Sequence, residues 1–166
     1  MKNFSLKYEL LSFAGRNPNF FTAYYGRHPR FQKLVVRPES AIVIEGYPRC
    51  ANSFAVLAFE RAQQRTMHIG HHLHASAQIA LGVKYKLPVL VLMREPIGAA
   101  ASLITRHPEV SAQQALRQYV SFYSDVLQNV NDVVVADFSR VTSAYAQIID
   151  AVNCRFKTEF VPYING

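Results

Sequence analysis

The sequence is short of acidic residues, of cysteine and of long apolar runs, and each shortage excludes something. Asp and Glu number 11 against 18 Lys and Arg, leaving a net charge of +7. Such an excess suits an anionic partner, whether nucleic acid, a membrane surface or a phosphorylated small molecule, although an ordinary basic surface fits the charge equally. Two cysteines, Cys50 and Cys154, supply neither a disulfide framework nor a metal-ligand spacing. A reducing, cytoplasmic location is the expectation. No apolar run approaches the ~18 residues that span a bilayer, and Met1 to Glu9 is broken by charges and lacks a signal-peptide core. No transmembrane segment is expected. Internal repeats and low-complexity stretches are also missing. What is present is a globular composition, 50% apolar and 17% charged over 166 residues. That length makes one domain, residues 1–166, with a full core. Residues 1–40, aromatic and basic, are expected to pack on it.

The apolar pattern alternates between strand and helix. Ala41 to Glu45 is a β-branched run with the character of a buried central strand. Ser53 to Arg65 has a helical stripe in Phe54, Leu57, Ala58 and Ala62. Ala75 to Val83 is a short helix, and Pro88 to Met93 is the clearest strand. Pro96 opens a helix that His107-Pro108 stops. Ser111 with Gln114 forms a capping box for a helix to about Gln128, with Leu116, Tyr119, Val120, Tyr123 and Leu127 as its apolar positions. Val133 to Ala136 is expected to be a third buried strand, and Ser139 to Val152 one last helix. In the N-terminal segment, Phe20, Phe21, Tyr24 and Tyr25 fit one helical face. The fold class is therefore α/β: a parallel sheet with helices on both faces in a single compact domain, whose ligands bind at the carboxyl ends of the strands.

Two loops leave strands at that edge. The first, Gly46-Tyr47-Pro48-Arg49-Cys50-Ala51-Asn52-Ser53, has the length and final hydroxyl of a triphosphate-binding P-loop. Asn52 stands where that loop has lysine, Ala51 where it has glycine, and the basic residue is Arg49 instead. This suits one anionic group on a helix N-terminus, clamped by Arg49, better than a triphosphate with Mg²⁺. The second loop brings Arg94 and, eight positions on, Ser102. Two anion sites at adjacent strand ends imply a nucleotide with phosphates at two separate positions.

In this order the residues resemble the sulfotransferase family. Gly46 to Phe54 is similar to its 5′-phosphosulfate loop, Y-P-[KR]-S-G-[TN]-[ST]-[WF]. Arg94-Glu95-Pro96 through Ser102 is similar to its 3′-phosphate motif, R-[DN]-P with a serine eight positions after the arginine. The likeness runs from about Ala41 to Val152. It implies a P-loop-like fold, 3′-phosphoadenosine 5′-phosphosulfate (PAPS) as donor, an acceptor hydroxyl on a carbohydrate or small molecule, and no metal. Within the Pro48 to Phe54 loop, it places Arg49 at the bridge between leaving and transferring groups. Cys50, Ala51, Asn52 and Ser53 would cradle the 5′-phosphosulfate, and Phe54 would pack on the adenine. Arg94 and Ser102 would hold the 3′-phosphate. Cys50 and Ala51 replace the family's Ser-Gly, which leaves less backbone freedom at Ala51. The family's basic C-terminal segment has no counterpart up to Gly166; either donor affinity falls or a residue such as Arg106 substitutes.

His68, His71, His72 and His74 fit no standard zinc spacing. One of them suits the general base that must take the acceptor's proton. His72-Leu73 resembles the family's T-H-L-P stretch, so the order of preference is His72, His74, His71. Two other functions stand beside this one. A P-loop-fold small-molecule kinase lacks its lysine, and its Mg²⁺ carboxylate would have to be Asp137, which is as easily a helix cap. A non-catalytic nucleotide- or nucleic-acid-binding module lacks an aromatic–basic recognition motif, so no nucleic acid is expected. The aromatic, basic first forty residues suggest a sugar or another polar hydroxyl compound as acceptor. Oligomeric state is not legible in the sequence.

Overall fold

The β-branched run after Ala41 forms the strand β1 (Ile42–Gly46), buried at every position, as a strand with neighbours on both edges and helices on both faces must be. In the computed structural model, which describes residues 9–163, β1 lies inside a four-stranded sheet. The other strands are β2 (Ile69–His71), β3 (Val89–Met93) and β4 (Val134–Asp137), in the order β2-β1-β3-β4. Every pairing is parallel. The helices are α1 (Pro18–Tyr25), α2 (Asn52–Ala62), α3 (Ser76–Lys84), α4 (Pro96–Arg106), α5 (Ala112–Leu127), α6 (Phe138–Ser143) and α7 (Tyr145–Phe156). Residues 9–14 are also helical. α3 packs against α1 and α5, whereas α2 packs against α6, and α7 against β4. The two groups cover opposite faces and share one core with the sheet.

The chain leaves β1 toward β2 on one side, then crosses back to pair β3 on the other. That reversal opens a crevice at the carboxyl ends of β1 and β3, the usual ligand position in open parallel sheets. Gly46 sits at its floor. A Cβ there would stand 2.4 Å from the Leu92 carbonyl oxygen of β3, so only glycine permits the approach of the two strands where the first loop begins.

Several elements differ from the sequence pattern. β2 is an addition; three residues, Ile-Gly-His, are too short to carry a period of their own. β4 is an edge strand, with Val135 41% exposed, and its apolar run is not buried on both faces. The expected helix from Ser139 to Val152 is broken at Ala144, whose backbone leaves the helical region at φ −144°, ψ 42°. Its inward positions, Val141, Tyr145, Ile148 and Val152, are buried as expected. In α1, Phe21 and Tyr25 enter the core while Phe20 and Tyr24 face out. In α2, Leu57 is exposed and Ala55, Val56, Ala58 and Phe59 are buried. In α5, the buried stripe is Ala115, Gln118, Tyr119, Phe122, Tyr123 and Val126, leaving Leu116, Val120 and Leu127 exposed. The capping box of Ser111 and Gln114 is present at its start. The described part of the N-terminal segment packs on the domain through α1; residues 1–8 lie outside the described residues. Among the described residues, no helix is long and apolar enough to cross a membrane.

Candidate functional site

The loop after β1 turns Tyr47, Cys50 and Asn52 inward. The Tyr47 hydroxyl donates to the Ala115 carbonyl of α5 at 2.8 Å. The Asn52 amide donates back to the Tyr47 carbonyl at 3.1 Å. The Cys50 sulfur lies 3.5 Å from the Tyr123 hydroxyl, and burial pushes its thiol pKa up. A protonated, buried thiol is no nucleophile, so Cys50 can offer a ligand only its backbone. Arg49 and Ala51 adopt left-handed conformations, φ 71° and 66°. Ala51 is the N-cap of α2, and no side chain caps that helix. Its first-turn amides thus have no side-chain acceptor and sit at the positive end of the helix.

The second loop is built differently. Glu95 caps its own helix, accepting from Ile97 N at 3.0 Å and from Gly98 N. The N-terminus of α4 is therefore already neutralised by a carboxylate. What this loop offers is side chains. The Arg94 guanidinium stands 4.4 Å from the Phe138 ring centroid, a cation–π contact that fixes its direction. Tyr119 donates to the Arg94 carbonyl at 2.6 Å, which fixes its backbone.

The two loops meet. Arg49 Nε donates to Ser102 Oγ at 3.0 Å, and Arg94 Nη1 reaches the Arg49 carbonyl at 3.4 Å. Arg49, Arg94 and Ser102, predicted from separate motifs, are thereby brought together. A cleft of about 530 Å³, within the size of ordinary small-molecule sites, is lined by the two arginines, with Ser102 behind Arg49 and outside the lining. Pro48, Arg49, Ala51, Asn52, Ser53 and Phe54 line one side, with Phe54 edge-on to Tyr145 at 5.9 Å. Arg94, Arg106, His107 and Phe138 line the other. Three arginines and no carboxylate face this cleft, a lining suited to an anion. Cys50 is turned away from it, and Asn52 braces the loop as well as facing it.

His72 and His74 also line the cleft; His68 and His71 do not. His68 is hydrogen-bonded to Ser40 at 2.9 Å. His71 contacts His72 through their Nδ1 atoms, and burial lowers it to about 4. His72 Nε2 lies 3.0 Å from Ser53 Oγ, at the first turn of α2, and burial lowers its pKa while the Glu60 charge raises it. His74 Nδ1 lies 2.8 Å from the Gly46 carbonyl. A carbonyl only accepts, so Nδ1 carries the proton and Nε2 is left as a base. Burial lowers His74 to about 4, keeping it neutral. Both residues have positive φ, 57° and 51°, and between them the Leu73 amide donates to Glu45 Oε2 at 3.0 Å.

Glu45 organises this corner. It is fully buried and also accepts from Gly46 N at 3.2 Å and from the Gln78 amide at 2.8 Å. Burial pushes its pKa up to about 7, against the pull of those donors. Sequence reasoning treated it as the end of an apolar strand and missed it; the available signal was a lone carboxylate inside that run. Phe138, Tyr119 and Tyr123 were likewise missed as site supports. Asp137 accepts from Ser139 N and Oγ at 2.8 and 2.6 Å and caps α6. Among the described residues no group of three His, Cys, Asp or Glu side chains is placed to share a metal ion. Comparison of the sequence with protein-family models and with curated proteins gives no match.

Two outcomes follow from this geometry. Ala51→Gly relieves a left-handed conformation that costs an L-residue roughly 1–2 kcal/mol, partly offset by glycine's extra unfolded-state entropy. Thermal unfolding is expected to show a gain of up to about 1 kcal/mol; no gain would mean that the loop stores no strain there. For Glu45 the folded chain holds a proton that the unfolded chain has released between its ordinary pKa of 4.5 and about 7. Its contribution to stability is therefore present below that window and lost as pH rises through it. Urea unfolding from pH 5 to 7 is expected to show the protein losing stability relative to Glu45→Gln, by at most about 1.4 kcal/mol per pH unit. A difference independent of pH would rule out an elevated Glu45 pKa.

Proposed function

We propose that the protein is a sulfotransferase, moving a sulfuryl group from PAPS to an acceptor hydroxyl. The observation that carries this reading is the meeting of Arg49, Ser102 and Arg94 over the open N-terminus of α2. The donor presents two anionic groups, and the cleft offers two different anion sites. The uncapped amides of α2 with Arg49 suit the 5′-phosphosulfate. Arg94 and Ser102 suit the 3′-phosphate, with Arg106 at the same cleft. Phe54 is available to pack on the base. The bound donor supplies a sulfuryl group activated by a phosphate leaving group.

The chain's own residues then have defined tasks. Arg49 and the first-turn amides hold charge that grows on the departing phosphate, in positions fixed before reaction. His72 takes the acceptor proton at Nε2. That nitrogen lies 3.0 Å from Ser53 Oγ, at the first turn of α2. Burial favours the neutral imidazole, the form that accepts a proton. His74, with Nε2 unprotonated, stands beside it.

Small-molecule phosphoryl transfer finds less support. Asn52, at the position of the triphosphate loop's lysine, has its amide on the Tyr47 carbonyl, and Asp137 is engaged as a helix cap. Titration calorimetry separates the readings. The expected result is binding of 3′,5′-diphosphoadenosine that is indifferent to Mg²⁺ and at least about tenfold weaker in Arg94→Ala, which loses a charge-assisted contact. Preference for ATP with Mg²⁺ would support the kinase, and salt-sensitive oligonucleotide binding the nucleic-acid module. His72→Ala is expected to lose roughly 10²–10⁴ of the transfer rate with donor affinity nearly unchanged. Near-full activity in that variant would move the base to another residue.

A further inference from the structure

In α1 only Phe21 and Tyr25 are buried. The remaining positions are exposed, and two of them are rings one turn apart, Phe20 at 60% and Tyr24 at 44% exposure. A single exposed ring needs no explanation. These two stand together on one flank of a helix, and Phe20 has no polar atom to offer water. The surface around them carries charge of one sign.

From Leu10 to Pro38, and again from Arg61 to Arg94, the chain has no Asp or Glu. The fold sets these stretches side by side, because α1 packs on α3. A hollow of about 430 Å³ is lined by Thr22, Ala23 and Arg27 from one and by Leu81, Lys84 and Tyr85 from the other. From Tyr24 the surface runs through His28, at 6.1 Å, to Phe31, 4.8 Å further, with the Arg30 guanidinium 5.7 Å from the Phe31 ring. Lys86 is exposed in the turn after α3. Elsewhere cations are paired, Arg16 with Asp125, Arg37 with Glu39 and Arg117 with Glu9. Among the described residues no carboxylate pairs with Arg27, Arg30, Lys84 or Lys86.

We propose that this face docks on the surface of a bilayer that contains anionic lipid. Exposed rings and unpaired cations together call for a partner that is apolar just beneath an anionic surface. Phe20 and Tyr24 enter at the level of the headgroups, where aromatic rings settle. Arg27, Arg30, Lys84 and Lys86 lie against the lipid phosphates and carboxylates, their stems along the apolar boundary. A nucleic acid would satisfy the cations, but Phe20 and Tyr24 stand on the flank of a helix, not as stacking platforms along a groove. Lys84 and Lys86 precede β3, at the amino edge of the sheet, whereas the anion cleft is at the carboxyl edge. The docked protein keeps that cleft in solvent, and the proposal stands apart from the sulfotransferase reading.

The test is co-sedimentation of the full chain with vesicles of phosphatidylcholine, alone or with about 30% phosphatidylserine, at physiological and raised salt. Binding is expected to be at least about tenfold tighter with phosphatidylserine and to weaken as salt rises. Arg27→Glu with Lys84→Glu is expected to lose about tenfold or more, and Phe20→Ser with Tyr24→Ser a similar factor. All four side chains are exposed, and circular dichroism checks that each pair folds. Arg61→Glu with Arg140→Glu removes the same charge from α2 and α6, on the opposite face, and is expected to bind within about twofold of the unaltered protein, since salt screens distant charges. No binding to phosphatidylserine vesicles, equal binding to both vesicle types, or binding unchanged in either folded pair on the docking face would overturn the proposal. So would an equal loss in the opposite-face pair, which would reduce the effect to net charge. Tighter binding to a single-stranded oligonucleotide than to either vesicle would overturn it in favour of nucleic acid.

Discussion

A carboxyl group with no solvent exposure sits at the end of the central strand, and the surrounding structure is arranged to satisfy it. Burying Glu45 without partners would be costly in either protonation state. It accepts from Gly46 in the first loop, Leu73 in the histidine loop and Gln78 in α3, and His74 Nδ1 stands 3.6 Å away. Gln78 in turn accepts from the Val36 amide at 2.9 Å, which ties in the segment entering β1. One side chain therefore couples the end of β1, the histidine loop, α3 and, through Gln78, the segment entering β1. The bond to Leu73 is the one that reaches the cleft-lining loop. Leu73 lies between two residues in left-handed conformations, His72 and His74, and such strain persists only where the surroundings impose it. The placement of both cleft histidines depends on that buried carboxyl.

A second layer of control comes from α5. Tyr123 donates to the Leu92 carbonyl at 2.7 Å and Tyr119 to that of Arg94, so one helix holds the end of β3 and the start of the second loop. Tyr47 reaches back to α5 from the first loop. The rings form a contiguous cluster, Tyr47 to Tyr119 at 5.2 Å and Tyr119 to Tyr123 at 4.5 Å. Burial pushes the Tyr119 hydroxyl up to about 12 and Tyr123 further in the same direction, so both remain donors at any ordinary pH. This explains why the helix is rotated from its simplest apolar stripe. Tyrosines that reach loop carbonyls turn inward, and Leu116, Val120 and Leu127 are left outside.

Local signals in the sequence were enough for the frame. The β-branched run of β1, the Pro-led start of α4 and the capping box of α5 each specify an element through chemistry confined to a few residues. The pairing of Arg49 with Arg94 and Ser102 was also legible, because parallel strands put successive loops at one edge. What was not legible depends on distant partners. β2 is only three residues long and is defined by pairing with β1. The outer position of β4 is a property of strand order, not of its composition. Glu45 is distinguished by donors from 28 and 33 residues away, and Phe138 by the guanidinium above it. A cavity beside His74 draws its walls from Leu11 through Phe122, a grouping that no local pattern encodes.

The two helix N-termini at the crevice present two unlike surfaces at one edge of the sheet. α2 begins at Ala51 without a side-chain cap, so its amides and dipole face the cleft. α4 begins at Pro96 under the carboxylate of Glu95, which occupies the same kind of amides and cancels much of the positive end. A group bound near α2 therefore meets backbone donors that cannot rotate away, the arrangement best suited to charge that changes during a reaction. The α4 side of the cleft offers side chains instead, Arg94 and Arg106 among them. Glu95 takes up the amides of α4, and Arg94 is aimed from outside the helix by Phe138 and Tyr119. The asymmetry divides the cleft into an end at α2 that offers backbone donors and an end at α4 that offers side chains, with His72 at the first.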